Sequence, residues 1–247
     1  MKLSYNDIFK YSDICNPISQ STLLSAGNLA ELGPGKIILD LGSGKGFPSL
    51  LWANMFGARV EGYDRDENFV KYANTRAEEL LLSNRVNYYC KDIRELSLDR
   101  TYDVIAYMGV GAQEVYGNIR DALKSFQNNL AKEGFLFFSE PAWLKKPVPS
   151  KIQEVLGVNE NMFLTKFELS ELMEDLGFQV VRYFVSSKED WDLYIRPVNT
   201  AMQEIIENKS DLAEEAKGII RSFKSEYDAV GRYWNMILWV VKTYAIG

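Results

Sequence analysis

Ile37-Ile38-Leu39-Asp40-Leu41-Gly42-Ser43-Gly44-Lys45-Gly46-Phe47 is the stretch whose reading decides the fold. Ile37, Ile38, Leu39 and Leu41, interrupted only by Asp40, read as a buried strand. Glycines at 42, 44 and 46 follow at once. Pro48 then suits the first turn of a helix, where its missing N–H would be unpaired in any case. The order is strand, glycine-rich turn, helix. Such a turn lets a ligand approach backbone N–H groups that a Cβ would block.

The spacing of the glycines discriminates between ligands. A dinucleotide fingerprint has G-x-G-x-x-G, whereas here the third glycine falls one residue early, at Gly46, and position 47 is Phe. A phosphate-binding P-loop ends in Gly-Lys-Ser or Gly-Lys-Thr, whereas Lys45 stands between two glycines. Asp40, Gly42, Gly44 and Gly46 do occupy the positions of a D-x-G-x-G-x-G turn. In this the chain resembles the class I methyltransferases that use S-adenosylmethionine. The competing reading is a glycine-rich turn that binds nothing.

Two further carboxylates weigh against that alternative. A second strand over residues 58–63 runs into Asp64, which is 64 − 44 = 20 residues beyond Gly44. A carboxylate there accepts hydrogen bonds from ribose hydroxyls. A third strand over residues 86–90 runs into Lys91-Asp92-Ile93. In the family resembled, Asp92 would bind the adenine amino group and the Ile93 N–H a ring nitrogen. Each Asp alone can be a solvated loop carboxylate; three motifs at successive strand ends make that reading weak.

The chain has 247 residues, enough for one α/β domain with insertions. Its 47% hydrophobic and 25% charged residues are ordinary for a folded protein. No apolar run reaches the length of a membrane span, and the first residues lack a basic-then-apolar signal pattern. Two cysteines, Cys15 and Cys90, are too few for a disulfide framework or a cysteine metal site, and a reducing cytoplasm is the expected setting. The net charge of −6, without a basic run, offers no electrostatic footprint for nucleic acid or anionic lipid. There is no histidine, so any proton transfer falls to a carboxylate, Tyr, Lys or water.

Around the motif, apolar periodicity alternates between helix and strand. Residues 1–35 form a helical leader ending at Gly33-Pro34-Gly35, with Asn16-Pro17 as a turn; packing is the favoured role of this leader, and the alternative is that Tyr11 and Asn16 line the site. Helices are expected over residues 50–56 and through the stripe Phe69, Tyr72, Ala73, Ala77, Leu80 and Leu81. A fourth strand spans 102–108. Ile119, Ala122, Leu123, Phe126 and Leu130 then lie on a helix, and a fifth strand spans 135–138. Thr165 to Glu168 reads as a capping box, residues 178–185 as a sixth strand and 234–243 as a seventh. Residues 36–143 make the cofactor-binding half of a single domain, and 144–164 and 187–232 are insertions expected to form a substrate lid. This is an α/β fold with a mostly parallel, Rossmann-like sheet. The resemblance, not the periodicity, implies seven strands with the last antiparallel between the fifth and sixth.

Glu140-Pro141-Ala142-Trp143, Phe163-Leu164-Thr165 and Trp191-Asp192-Leu193-Tyr194 extend the resemblance to a group of small, largely uncharacterised bacterial methyltransferases. The Asn/Asp-Pro-Pro-aromatic motif of amino-methyltransferases acting on nucleic acid bases is replaced by Met108-Gly109-Val110-Gly111. The resemblance implies that the backbone of Gly42, Ser43, Gly44 and Gly46 holds the methionine end of the cofactor, with Asp40 supporting its ammonium. Met108, Gly109 and Gln113 complete that end, and Arg65 adjoins the ribose residue. Glu140, at the end of the fifth strand, and Tyr194 are the candidate catalytic residues. Glu140 reads equally as the cap of a following turn. Trp143, Tyr107, Trp191 and Tyr233 line an acceptor pocket or pack a core. The expected function is methyl transfer to a small-molecule acceptor, with no metal. The alternatives are methylation of a macromolecule such as tRNA or protein, and a non-catalytic module that binds S-adenosylmethionine.

Overall fold

The structure, a computed structural model, describes residues 2–209 and 211–244. Met1, Ser210 and residues 245–247, which fall in the ranges expected for the leader, the second insertion and the domain's end, lie outside the described residues. The chain divides into two compact units. A sheet unit comprises Ser19–Glu140, Glu168–Phe184 and Ile237–Gly247, and an aromatic unit comprises Met1–Ile18, Pro141–Phe167 and Val185–Met236.

The strands are β1 (Ile37–Leu41), β2 (Arg59–Asp64), β3 (Val86–Cys90), β4 (Tyr102–Met108), β5 (Leu130–Trp143), β6 (Phe178–Val185) and β7 (Trp234–Thr243). They form one seven-stranded sheet in the order β3-β2-β1-β4-β5-β7-β6. β1 pairs in parallel with β2 and β4, β2 with β3, and β4 with β5. At one end of the last pair Ser186 N–H donates to the Met236 carbonyl, and at the other Tyr244 N–H donates to Gly177. The residue numbers run in opposite senses, so β7 is antiparallel to β6, as the resemblance implies. Consecutive residues of β1 and β4 are buried on both faces (Ile38, Leu39, Val104, Ile105), which requires cover on both sides of the sheet.

The helices are α1 (Tyr5–Ile8), α2 (Gln20–Leu29), α3 (Phe47–Phe56), α4 (Glu67–Glu79), α5 (Ala112–Tyr116), α6 (Ile119–Gln127), α7 (Ser150–Leu156), α8 (Lys166–Asp175), α9 (Lys188–Asn208) and α10 (Ala213–Ala229), and within the sheet unit α2, α3, α4, α5 and α6 supply that cover. In the sheet unit, Trp52 of α3 is wholly buried and donates its Nε1–H to the Leu23 carbonyl of α2 at 2.8 Å. Phe126 of α6 packs against Tyr107 of β4, ring centroids 5.0 Å apart.

Three expectations need correction. Leu80 and Leu81 fall after α4, which ends at Glu79, and both are exposed, so they are not part of its buried stripe. Leu130 opens β5 and does not close the helix before it; α6 ends at Gln127. β5 therefore spans 14 residues where only 135–138 were expected. Its first turn of sequence, Lys132 and Glu133, is solvent-exposed, and Glu133 has a positive φ of 59°. The irregular register between Tyr102 and Val104 absorbs that kink.

The aromatic unit is built from α1, α7, α9 and α10 around Trp143, Trp191 and Trp234. The Trp191 and Trp234 ring centroids are 5.4 Å apart, and Phe163 packs edge-on against Trp143 at 5.6 Å. Trp143 Nε1–H donates to the Glu160 carbonyl at 2.8 Å and Trp191 Nε1–H to Asn235 Oδ1 at 2.9 Å.

Candidate active site

The turn after β1 has the backbone that its glycines allow. Gly42, Gly44 and Gly46 have φ of 72°, 53° and 79°, a region that side chains with a Cβ rarely enter. A Cβ on Gly42 would stand 2.3 Å from Val110 Cγ2, so the loop after β4 closes directly on the turn. The N–H groups of Gly42 and Ser43 donate to the Tyr63 carbonyl at 2.8 and 3.0 Å, tying the turn to the end of β2. Ser43 is buried, and its hydroxyl has no hydrogen-bond partner among the described residues.

Asp64 stands where the spacing predicted. One oxygen accepts the Gly44 N–H at 2.8 Å and the other the Asp66 N–H at 2.9 Å. An ionised carboxylate has roughly four acceptor positions, so each oxygen keeps capacity for a hydroxyl. Burial raises the Asp64 pKa above its ordinary value. Arg65, beside it, is exposed.

Asp40 lies at the carboxyl end of β1, only 2% exposed, with Gly62 and Ala106 as its register neighbours. Its Oδ2 accepts the Ser49 hydroxyl at 2.6 Å. Burial first, and then the nearby Asp64 charge, push its pKa up to about 7 against the pull of the Ser49 bond. Lys45 is buried too, with its ammonium 4.8 Å from the Tyr72 ring centroid.

Asp92 caps the short helical turn Ile93–Glu95 and is gripped by the Arg94 guanidinium, Nε lying 3.0 Å from Oδ1. That pair holds the Asp92 carboxyl at about 2. Ile93 is half-buried. Met108 ends β4, and Gly109 donates its N–H to the Ser139 carbonyl at 3.2 Å. Gln113 is exposed on α5, a five-residue helix too short to show a period.

Glu140 is 6% exposed and accepts the Ala112 N–H of α5 at 2.6 Å. The capping role weighed for it is thus present. Burial pushes its carboxyl up to about 7, with a smaller contribution from Glu114. Tyr107, also buried, has a hydroxyl without a partner among the described residues. Tyr194 belongs to the aromatic unit, packed against Phe223 at 5.4 Å and Trp191 at 5.9 Å, and burial raises its pKa. A groove of about 790 Å³ on α9 and α10 is lined by Asp192, Arg196, Asn199 and Glu204 among others, and by none of the predicted cofactor residues. Tyr11 donates to Glu204, and Asn16 Oδ1 accepts the Ile18 N–H at 3.2 Å. Among the described residues no group of three or more acidic or Cys side chains is placed to hold a metal ion.

Sequence reasoning missed Ser49 and Tyr88. Ser49 stands out only as a hydroxyl in the apolar helix start Phe47-Pro48-Ser49-Leu50-Leu51-Trp52. Tyr88 lies 39 positions away, so nothing in the sequence joins the two.

Residues 38–134 match the model of a methyltransferase domain family. The chain is 33% identical over 182 residues to the uncharacterised protein YjhP of Escherichia coli strain K12, covering 73% of each chain. It superposes on the X-ray structure of YjhP with a TM-score of 0.87 at 27% identity, covering 96% of this chain and 98% of that one. A methyltransferase of Geobacter sulfurreducens, crystallised with S-adenosyl-L-homocysteine, gives a TM-score of 0.87 at 26% identity, covering 98% and 99%. A malonyl-[acyl-carrier protein] O-methyltransferase of Bacillus anthracis is 26% identical over 131 residues, covering 53% of this chain and 46% of that protein. With its strand order, its glycine turn and these relatives, the chain belongs to the S-adenosylmethionine-dependent methyltransferases, in a group that includes the uncharacterised YjhP.

Proposed function

We propose that the protein transfers a methyl group from S-adenosylmethionine to a small-molecule acceptor by in-line displacement. The observation that carries this reading is the convergence of Asp40, Asp64 and three left-handed glycines on the carboxyl ends of adjacent parallel strands. The orphan hydroxyl of Ser43 and the unused acceptor capacity of Asp64 fit a polar ligand there. The cofactor supplies a methyl group already activated on a sulfonium, so the protein's task is mainly alignment.

Asp40 holds the cofactor's ammonium, the glycine turn its carboxylate end, and Asp64 its ribose. Asp92 and Ile93 take the adenine, with Arg94, largely exposed, turning aside at small cost. Gly109 has spent its N–H on Ser139, so its contact uses the carbonyl. Glu140, poised near neutrality, takes the proton that an amine, hydroxyl or acidic carbon acceptor releases. The net charge of −6 supports a small acceptor over nucleic acid. The Bacillus anthracis relative favours a second reading, in which the acceptor is a carboxyl carried on a protein.

Calorimetric titration with S-adenosylmethionine and S-adenosylhomocysteine tests the cofactor assignment, and micromolar binding of both is expected. A screen of small acids, amines and phenols with methyl-labelled cofactor then separates the two readings. Label that appears only on a carrier-bound acid would overturn the small-molecule reading.

A further inference from the structure

Beneath the glycine turn lies a set of buried hydroxyls that cofactor contact does not require. Ser49, on the first turn of α3, is wholly buried. Its Oγ lies 2.6 Å from Asp40 Oδ2, 2.9 Å from Tyr88 Oη and 3.3 Å from the Gly46 carbonyl. Tyr88 comes from β3, is 4% exposed, and places its Oη 3.1 Å from that same carbonyl. Its ring occupies space that two glycines leave open. A Cβ on Gly46 would stand 2.6 Å from Tyr88 Oη, and one on Gly62 2.3 Å from Cδ1. Asn74 of α4 clamps the Tyr88 backbone, donating to its carbonyl at 2.9 Å and accepting its N–H at 3.1 Å.

The protons in this cluster can be counted. Two hydroxyl hydrogens serve Asp40 Oδ2, the Gly46 carbonyl and each other's oxygens. With Asp40 ionised, Ser49 donates to the carboxylate and Tyr88 donates to Ser49 or to Gly46, so every donor is used. With Asp40 protonated a third hydrogen enters the cluster, and the short Ser49–Asp40 contact loses its charge-assisted character.

We propose that Ser49 and Tyr88 are positioning residues: Ser49 holds Asp40 in the carboxylate form that grips the cofactor's ammonium, and Tyr88 fixes Ser49 and the Gly46 carbonyl in register. This deepens the function proposed above and rests on its assignment of Asp40 to the ammonium. The other charged and titratable groups facing this point are Asp64 from β2 and Tyr88 itself from β3. On the turn, the Lys45 ammonium lies over Tyr72, and β4 offers only Ala106. Asp64 opposes ionisation of Asp40 and Ser49 favours it. Removing the Ser49 hydroxyl therefore moves the titration of Asp40 in the alkaline direction.

The test is the dissociation constant of S-adenosylhomocysteine, which carries the same ammonium, measured by calorimetry from pH 5.5 to 8.5. The proteins are the parent, Ser49→Ala, Ser49→Thr and Tyr88→Phe, each checked for folding by circular dichroism. The parent is expected to bind more tightly as pH rises, levelling off above neutrality. Ser49→Ala should be roughly tenfold weaker at the acid end and converge on the parent at the alkaline end, the signature of a pKa raised by about one unit. Ser49→Thr, which keeps the hydroxyl, should follow the parent, and Tyr88→Phe should shift the same way by less. The carbon-13 titration of the Asp40 carboxyl in the parent gives the same pKa without a variant. A loss for Ser49→Ala that is equal at every pH, or an Asp40 that titrates in the ordinary carboxylate range, overturns the inference. Absence of binding by the parent at every pH overturns instead the cofactor assignment on which it rests.

Discussion

In the sheet unit two carboxyls, Asp40 and Glu140, are buried with a single donor given to each, Ser49 and the Ala112 N–H. In the aromatic unit the indole N–H groups of Trp143 and Trp191 end on neutral amide or backbone oxygens, whereas that of Trp234 is buried without a partner among the described residues. Burying a neutral, satisfied donor costs little, whereas burying a charge is expensive unless it is paired. The first arrangement lowers stability at neutral pH, and the second supports it. A protein keeps such a burden where a ligand will later relieve it, which supports the binding role proposed for the carboxyls and a packing role for the tryptophans.

Substitutions can break or sharpen that contrast. The largest effect is expected from Trp191→Ala, which empties a position touching Tyr194 and Trp234. A loss of about 3–5 kcal/mol in denaturant unfolding is expected, and a loss under about 1 kcal/mol would show that the cluster does not hold its unit together. Asp40→Asn should act in the opposite direction. The folded-state pKa of Asp40, about 7, lies above its ordinary 3.8. Its contribution therefore favours the fold at low pH and fades as pH rises through 7. The unliganded variant should match the parent near pH 4 and be more stable at pH 8, by on the order of 3 kcal/mol, while losing cofactor binding. Equal stability of the two proteins at pH 8 would mean that Asp40 is not a burden at all.

Asp64→Ala should weaken S-adenosylhomocysteine binding about a hundredfold, on the order of two charged hydrogen bonds, with an unchanged circular dichroism spectrum. Unchanged affinity would refute the ribose assignment. Glu140→Gln retains an acceptor for the Ala112 N–H. It should therefore leave cofactor affinity intact, raise stability at pH 8 by less than Asp40→Asn, and lower turnover once an acceptor is found. Turnover equal to that of the parent would leave Glu140 as the anchor of α5 alone.

The same contrast marks what the sequence could disclose. β1, β3, β4, β6 and β7 are legible to the residue because each is a mainly apolar or aromatic run, broken by no more than a few polar residues and bounded by turns or charges. The first part of β5 was not, since exposed Lys132 and Glu133 interrupt its pattern where the strand kinks. The positions of Asp40, Asp64 and Asp92 at strand ends follow from motif spacing within single βα units. The Ser49–Tyr88 contact joins α3 to β3 across the unit, and no local pattern encodes it. Gly62 was the available clue: a glycine in the middle of a buried strand signals a close neighbour, and that neighbour is the Tyr88 ring.

The placement of the tryptophans has an optical consequence. Of the five indoles, Trp143, Trp191 and Trp234 belong to the aromatic unit and Trp52 and Trp239 to the sheet unit. Trp191 and Trp234, at 5.4 Å, are close enough for their excited states to couple. The near-ultraviolet circular dichroism of this protein should therefore be dominated by one unit. Its loss on heating, set beside the far-ultraviolet signal to which helices of both units contribute, distinguishes melting of the two units in sequence from melting together.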